Sequence, residues 1–299
     1  VSADQLVMRA QGDLNNVGGT LVAGSAMSLS AGRDLNLQST TQSGSRALGP
    51  SDASWTTVDR VAQVYVKGEG GLLSLAATRD VNLTAAQVSS QGSLQVSAGR
   101  DVNVQSVQLA TASNNVLTKT DWDRQKHTTE LGSQVAAKGS LLVQAGQDVT
   151  VRASSLNAGQ LLGISAGRDI QLLSGESTSM QDAATQFKSK GLTSTKTTQR
   201  REQSSSTVAL ASELGGQNVL LQAGQNILVK GSQVVADHNL ALVAGGGITI
   251  DAAQNITQSL SSTESTRKGL TRQGVGLQLG KQTLGQLTQT QSVTAAASF

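Results

Sequence analysis

The chain has 299 residues, a formal net charge of +3, no cysteine and only five aromatic residues. Disulfide bonds are excluded, and a conventional compact enzyme core is disfavoured because Phe, Tyr and Trp normally dominate core burial. Only 14% of the residues are charged, and no dense basic stripe with interleaved aromatics occurs, so nucleic acid is not expected as a partner. The first residue is Val1 and no basic-plus-apolar leader follows, which indicates a section of a longer polypeptide.

A four-residue motif with the consensus Ala-Gly-Arg-Asp recurs along the chain, and an alternating apolar triplet follows it. Its last position falls at residues 13, 34, 80, 101, 148, 169, 226 and 247. Steps of 21 residues alternate with longer steps of 46, 47 and 57 residues. Two motif copies therefore belong to one larger unit, and this unit occurs four times.

Each 21-residue step has the apolar spacing of β-strands. Leu94, Val96 and Ala98 precede the turn of one motif copy, and Val102 and Val104 follow it. An apolar period of two places one face of each strand inward. Three strands of about five residues and three tight corners make one coil of a parallel β-solenoid. We therefore expect an all-β fold whose narrow interior is filled by small aliphatic side chains.

The residues added in the longer steps are rich in Ser, Thr and Gln, and they are too long for corners. We expect one β-helix fragment over residues 1–299, with repeat units at about 1–69, 70–138, 139–215 and 216–299. The expected inserts are about 41–69, 109–138, 174–215 and 255–299. Their alternating segments predict protruding β-hairpins. The stretch Ser189–Ser206 is the most polar and is expected to be disordered.

The repeated Arg-Asp pair is consistent either with a ligand or metal ladder or with a structural corner. We favour the corner, because Gln replaces Arg at 147 and 225, and Asn replaces Asp at 226. Gly tolerates turn geometry, and Asp accepts hydrogen bonds from backbone N–H groups. The expected structural corner residues are Gly32, Asp34, Asp80, Gly99, Asp101, Gly146, Asp148, Gly167, Asp169, Gly224 and Asn226.

No catalytic or cofactor-binding arrangement is evident, so neither an enzyme nor a metal or cofactor site is expected. The two histidines, His127 and His238, lie in different repeat units, and zinc would need three or four converging ligands. A solenoid polysaccharide lyase or hydrolase would need a singular pair of carboxylates, whereas these acids repeat with the coils. Trp55 and Trp122 both fall in inserts. They are candidates for surface contact with carbohydrate, or they pack each hairpin onto the solenoid.

The motif Ala-Gly-Arg-Asp-Leu/Val-Asn-Leu/Val, in 21-residue coils with Ser/Thr-rich inserts, resembles the repeats of the filamentous haemagglutinin family. The last insert, with Ser261–Thr266 followed by Gly274-Val275-Gly276-Leu277, resembles the second haemagglutinin-repeat block of CdiA-type contact-dependent growth inhibition effectors. Thr78 and Gly247 depart from the tetrad, at its Gly and Asp positions.

The resemblance implies a right-handed parallel β-helix within a fibre that is exported by two-partner secretion to the surface of a Gram-negative bacterium. It implies a non-catalytic filament segment for toxin delivery and engagement of the target-cell outer membrane. The implied partners are that membrane or a surface receptor, the rest of the filament and an outer-membrane secretion partner. An adhesin segment that binds a surface glycan or receptor is the alternative, and a β-helix polysaccharide enzyme is the third candidate.

Overall fold

Parallel strands wind into a β-solenoid from which four hairpins project. The computed structural model describes residues 1–273 and 276–296, and these residues contain strands but no helix. Gly274, Val275 and Phe299 lie outside the described residues. The expected all-β fold is confirmed.

The described strands form four units, each with two coils and one hairpin. The first contains β1 (Ser2–Ala10), β2 (Leu14–Val17), β3 (Thr20–Ala31), β4 (Leu35–Gln38), β5 (Thr40–Leu48) and β6 (Ser51–Arg60). The second contains β7 (Gln63–Val66), β8 (Leu72–Ala77), β9 (Val81–Thr84), β10 (Gln87–Ser90), β11 (Ser93–Ala98), β12 (Val102–Gln105), β13 (Val107–Thr118) and β14 (Asp121–Leu131). The third contains β15 (Gln134–Ala137), β16 (Leu141–Ala145), β17 (Val149–Arg152), β18 (Ser155–Ala158), β19 (Leu161–Ala166), β20 (Ile170–Leu173), β21 (Gly175–Lys190) and β22 (Ser194–Leu210). The fourth contains β23 (Glu213–Ala223), β24 (Ile227–Lys230), β25 (Gln233–Ala244), β26 (Ile248–Asp251), β27 (Ala253–Gln273) and β28 (Gly276–Ala296).

Each coil has three sides, and each side pairs in parallel with the same side of the next coil. In the fourth coil these sides are β10, β11 and β12. The first and second sides share a 12-stranded sheet because β1, β3, β23 and β25 run across the corner between them. The third sides form a separate sheet in the order β2-β4-β9-β12-β17-β20-β24-β26.

The core consists of columns of aliphatic side chains, one residue from each coil. One column lies in the sheet that the third sides form, where strand pairing joins equivalent residues of successive coils. Its members are Leu14, Leu35, Val81, Val102, Val149, Ile170, Ile227 and Ile248. Leu35, Val81 and Val102 are fully buried, with 0% exposure. Side chains of this size fill the narrow interior without aromatic rings, as the alternating pattern predicts.

The four hairpins pair side by side in one antiparallel sheet, in the order β28-β27-β22-β21-β14-β13-β6-β5. Each junction joins the second strand of one hairpin to the first strand of the next, as in β14 with β21. The third insert was expected to be disordered, and that expectation is wrong, because β21 and β22 are paired on both sides. Strand pairing satisfies their backbone groups although their side chains are polar.

The hairpins are shorter than the inserts expected from the sequence. The first hairpin ends at Arg60, and Ala62, Val64 and Val66 are at most 1% exposed in the solenoid core. Coil strands likewise resume at Gln134 and Glu213, inside the expected second and third inserts. The alternation of Val58, Ala62, Val64 and Val66 hides this boundary, because hairpin strands and coil strands share the period of two.

We predict that the isolated 299-residue chain associates head to tail. The strands β1 and β2 at one end and β25 and β26 at the other each have a free parallel edge. In the last coil, the core-column residues Leu240, Ile248 and Ile250 are 48%, 46% and 60% exposed. A second copy would continue both the column and the strand ladder, in a contact that does not close on itself.

The test is mass measurement by light scattering over a range of protein concentrations. Ile248→Lys combined with Ile250→Lys should give a monomer, because lysine cannot enter an apolar column. Thr249→Lys, on the outward side of the same strand, should leave the association unchanged. A wild-type chain that stays monomeric at high concentration would contradict the prediction.

Candidate functional site

The corner residues that the sequence singles out lie at the bend between the second and third sides of the coils, where the chain runs from β3 to β4 and at the equivalent positions. Their glycines are needed for close approach between coils. A Cβ on Gly99, Gly146 or Gly167 would lie 2.1, 2.1 or 2.2 Å from a carbonyl oxygen of the preceding coil. None of these three has a positive φ, so steric contact, and not a left-handed backbone, requires glycine.

The corner aspartates form a hydrogen-bond ladder along the solenoid. Asp101 Oδ1 accepts from the backbone N–H of Asp148 at 3.1 Å, and Asp148 Oδ1 accepts from Asp169 at 3.1 Å. The other steps of the ladder run from Asp13 to Asp34, Asp34 to Asp80, Asp80 to Asp101, Asp169 to Asn226 and Asn226 to Gly247. Neutral Asn226 accepts from Gly247 N–H at 3.0 Å, so the ladder needs an acceptor oxygen and not a charge.

Arginines neutralise most of these stacked carboxylates. Where an Arg precedes the corner residue, its guanidinium donates two hydrogen bonds to the Asp of the preceding coil. The pairs are Arg33–Asp13, Arg79–Asp34, Arg100–Asp80 and Arg168–Asp148. The hydrogen bonds from Arg79 and Arg168 hold the pKa of Asp34 and of Asp148, respectively, below the ordinary value. Carboxylates one coil apart therefore stack with little repulsion.

We predict that Asp148→Asn costs less stability than Asp148→Ala. The asparagine keeps an oxygen for the Asp169 N–H and loses only an exposed ion pair, which is worth about 1 kcal/mol or less. The alanine also removes that acceptor, for about 1–3 kcal/mol in total. Urea unfolding midpoints of both variants measure the difference. Equal losses would show that the charge pair, and not the backbone acceptor, stabilises the corner.

Buried serines fasten the hairpins to the solenoid, and the sequence analysis missed them. Ser133 closes the second hairpin and is 1% exposed. Its Oγ accepts from Ala86 N–H at 3.0 Å and donates to the carbonyl of Gln105 at 2.9 Å. Ser212 has the same role at the third hairpin: its Oγ accepts from Ser154 N–H and donates to the carbonyl of Leu173. The available signal is the recurrence of Ser or Ala directly before the first-side strands from β7 onward, at Ala62, Ala86, Ser133, Ser154, Ser212 and Ser232.

An ion pair also holds the root of the second hairpin. Arg152, at the end of β17, donates to both carboxylate oxygens of Glu130, at 2.9 and 2.6 Å. Ser106 Oγ and the backbone N–H of Glu176 donate to the same carboxylate. Burial alone would raise the pKa of Glu130, but the hydrogen bonds from Arg152 and Ser106 outweigh it, so the pKa is lowered.

The sign of this shift fixes the pH dependence. Because the pKa of Glu130 is lower in the folded state, its stabilisation is complete above its ordinary pKa of about 4.3 and is lost as the pH falls through the folded value. We predict that Glu130→Gln lowers the urea midpoint at pH 7 by a margin that shrinks at pH 3. All other side chains are the same in both proteins, so their contributions cancel in this comparison. An equal margin at both pH values would contradict a role for the charge.

The hairpin sheet places its two tryptophans on opposite faces. Trp55 pairs with Thr111, which pairs with His127, so these side chains share one face. Trp122 is five residues before His127 on β14 and therefore projects from the other face. We call these the Trp55 face and the Trp122 face. Trp55 is 40% exposed and lies against Gly44, where a Cβ would meet the indole ring at 2.5 Å.

A polar network surrounds Trp122 and joins three hairpins. The guanidinium carbons of Arg124 and Arg201 lie 4.3 and 5.5 Å from the centroid of the indole ring. Arg201 donates to both carboxylate oxygens of Asp182 at 3.0 Å. Arg124 Nε donates to Asn114 Oδ1 at 3.1 Å, and Asn114 Nδ2 donates to Asp52 Oδ1 at 2.7 Å. The positioning of these groups depends on pairing between hairpins.

A groove of about 560 Å³ crosses the strands on the Trp122 face. It follows one transverse row of paired residues. The row consists of Asp52, Asn114, Arg124, Asp182, Gln203, Leu260 and Gln289. Lys126, Met180 and Gln258 also line it. A second groove of about 290 Å³ is lined by Trp122 and Arg201, which places it on the same face. This face is the candidate binding surface.

The described part of the chain shows no other chemical centre. Residues 1–273 and 276–296 contain no group of three or more His or carboxylate side chains that could hold a metal ion. Within the same residues there is no helix of sufficient length and hydrophobicity to span a membrane. His127 lies in β14, and His238 lies far along the chain in β25.

The stacked 21-residue coils, the Asp corner and the recurrent hairpins define a class of repetitive β-solenoid segment. The family model described as "Hemagglutinin repeat" matches residues 49–120, 116–200 and 191–297. The chain therefore belongs to the hemagglutinin repeat family. No solved structure matches it.

Two curated relatives are CdiA proteins. The chain is 31% identical over 278 residues to the tRNA nuclease CdiA of Escherichia coli (strain STEC_O31), which is 93% of this chain and 8% of that protein. It is 32% identical over 139 residues to the 16S rRNA endonuclease CdiA of Enterobacter cloacae subsp. cloacae, which is 46% of this chain and 4% of that protein. The chain thus spans a small fraction of these relatives' length, and the resemblance to CdiA repeats is confirmed.

Proposed function

We propose that this chain is a non-catalytic filament segment of a two-partner-secreted exoprotein on the surface of a Gram-negative bacterium. Its role is to engage the outer membrane of a target cell during toxin delivery in contact-dependent growth inhibition. Membership in the hemagglutinin repeat family and the similarity to two CdiA proteins support this role. The partners are the target membrane or a receptor on it, the rest of the filament and an outer-membrane secretion partner.

The observation that carries the proposal is an exposed leucine near the tip of every hairpin. Leu48, Leu117, Leu192 and Leu279 are 70%, 84%, 106% and 84% exposed, respectively. Leu48 directly precedes the turn of the first hairpin, and Leu192 lies in the turn of the third, between β21 and β22. Large apolar side chains that recur at exposed positions near the hairpin tips indicate a surface that meets another apolar phase.

Basic residues accompany these leucines. Lys119 lies in the turn of the second hairpin, and Lys190 and Lys268 lie within a few residues of the tips of the third and fourth. All three are exposed. Cationic side chains close to an anionic headgroup surface contribute about 1 kcal/mol each, and leucine adds apolar burial in the interface. This combination favours a membrane surface over a purely polar receptor.

An adhesin segment is the second candidate, and the exposure of Trp55 favours it. Its indole ring contacts Gly44, and the residue is 40% exposed. An exposed ring beside Ser and Thr hydroxyl groups suits stacking against a sugar. Binding of a neutral glycan that is abolished by Trp55→Ala would favour this candidate.

We predict that the chain binds outer-membrane vesicles from a Gram-negative bacterium through its tips. Replacing Leu48, Leu117 and Leu192 by Ser should reduce co-sedimentation with vesicles about tenfold or more, because each change removes a buried apolar side chain from the bound state. The matched control is Leu72→Ser, which alters an exposed leucine of the solenoid.

Circular dichroism should show the same strand content in all three proteins, because the replaced residues are exposed. Vesicle binding that is unaffected by the triple replacement would refute the role of the tips. If the wild-type chain does not bind vesicles, membrane engagement is contradicted and a role as a spacer in the filament remains.

A further inference from the structure

We infer that the groove on the Trp122 face binds an acidic oligosaccharide, in an orientation that crosses the strands. Its volume of about 560 Å³ is within the usual range of ligand sites. The groove is separate from the leucine tips, and this inference does not rest on membrane engagement. Its argument comes from the polar groups along one row of the hairpin sheet and from their charge.

The groove presents hydrogen-bonding groups at the spacing of adjacent strands. Asn114, Arg124, Asp182 and Gln203 occupy four consecutive strands and are paired directly with one another. Strands lie about 4.8 Å apart, so each sugar unit of a chain across the sheet would meet a new planar amide, guanidinium or carboxylate group. Planar groups of this kind bind the hydroxyl pairs of a sugar ring through two hydrogen bonds.

The groove floor also supplies apolar contact. Met180 and Leu260 are among the residues that line the groove, and Met180 is 49% exposed. Trp122 lies next to Arg124 and lines the smaller groove on the same face. Sugar rings have apolar C–H faces, which pack on aromatic and aliphatic side chains. A strongly hydrated polar ligand such as a free inorganic anion would not use these contacts.

The groove together with the adjoining Arg201 carries a net positive charge, because Arg124, Lys126 and Arg201 outnumber the two carboxylates, Asp52 and Asp182. Both carboxylates already accept hydrogen bonds from the protein, Asp182 from Arg201 and Asp52 from Asn114. Arg124 donates a hydrogen bond from Nε to Asn114 Oδ1, and its terminal nitrogens carry further N–H donors. Within the described residues, the ammonium group of Lys126 takes part in no hydrogen bond or ion pair. Two cations with free donors select a sugar that carries a carboxylate.

The register explains why this site exists only in the assembled sheet. Asp52 belongs to the first hairpin, Asn114 and Arg124 to the second, and Asp182 and Gln203 to the third. A single hairpin contributes too few groups for a site. The ligand would therefore contact several repeat units at once and stabilise their pairing.

Direct binding measurements with a defined probe test the inference. The probe is trigalacturonic acid, and maltotriose is the neutral comparison of equal length. The protein is the full chain with Trp55→Phe, so that Trp122 is its only tryptophan. Trigalacturonic acid should change the Trp122 fluorescence saturably, and maltotriose should bind at least tenfold more weakly because it lacks the carboxylates.

Arg124→Gln combined with Lys126→Gln should weaken trigalacturonic acid binding about tenfold or more, as measured by calorimetry. Arg46→Gln removes an exposed charge on the Trp55 face and should leave binding unchanged. Loss of affinity in the groove variant alone, with unchanged circular dichroism, supports the site. Equal binding of both sugars, equal loss in both variants or no saturable binding would overturn it.

Discussion

The whole architecture depends on in-register hydrogen bonding between successive coils. Because each strand pairs in parallel with the same side of the next coil, equivalent residues must meet every turn. That constraint produces the aliphatic columns, in which Val81, Val102 and Val149 follow one another in adjacent coils. It also brings identical corner charges together, and the structure resolves this by giving each carboxylate a backbone N–H and, at most corners, an arginine. The corner motif is therefore a consequence of stacking and does not by itself indicate a ligand site.

The same spacing explains why the hairpins occur once for every two coils. Coils rise by about 4.8 Å, so two coils rise by about 9.6 Å, and a hairpin of two strands has the same width. Insertion after every second coil places each hairpin directly beside the previous one. The alternation of 21-residue and longer steps in the sequence is thus the condition for a continuous hairpin sheet. A hairpin after every coil would crowd its neighbours, and wider spacing would leave gaps between them.

The coil could be predicted from the sequence because buried apolar residues recur at every second position. The binding face could not be predicted in this way. The alternation around Leu94, Val96 and Val102 reports burial directly, since these side chains are at most 1% exposed. The residues around Trp122 have no such periodic signal. Asp52, Arg124 and Asp182 are far apart in sequence and meet only through pairing between hairpins. Their alignment follows from the two-coil spacing and from the lengths of the hairpins. The sequence does not show where the first hairpin ends, because Val64 of the next coil continues the alternation of the insert.

The solenoid and the hairpin sheet have different sources of stability. The solenoid buries apolar columns, whereas the hairpin strands β21 and β22 have hardly any buried side chains and depend on backbone pairing with neighbours. Backbone hydrogen bonds exchange with water at little net gain, so a lone hairpin of this composition would be marginal. The roots, with Ser133 and the Glu130–Arg152 pair, fix where each hairpin leaves the rigid solenoid. Fixed roots hold neighbouring hairpins at pairing distance and thereby reduce the entropy cost of assembling the sheet. The solenoid is in this sense the template on which a polar sheet, with binding groups drawn from several repeats, can form at all.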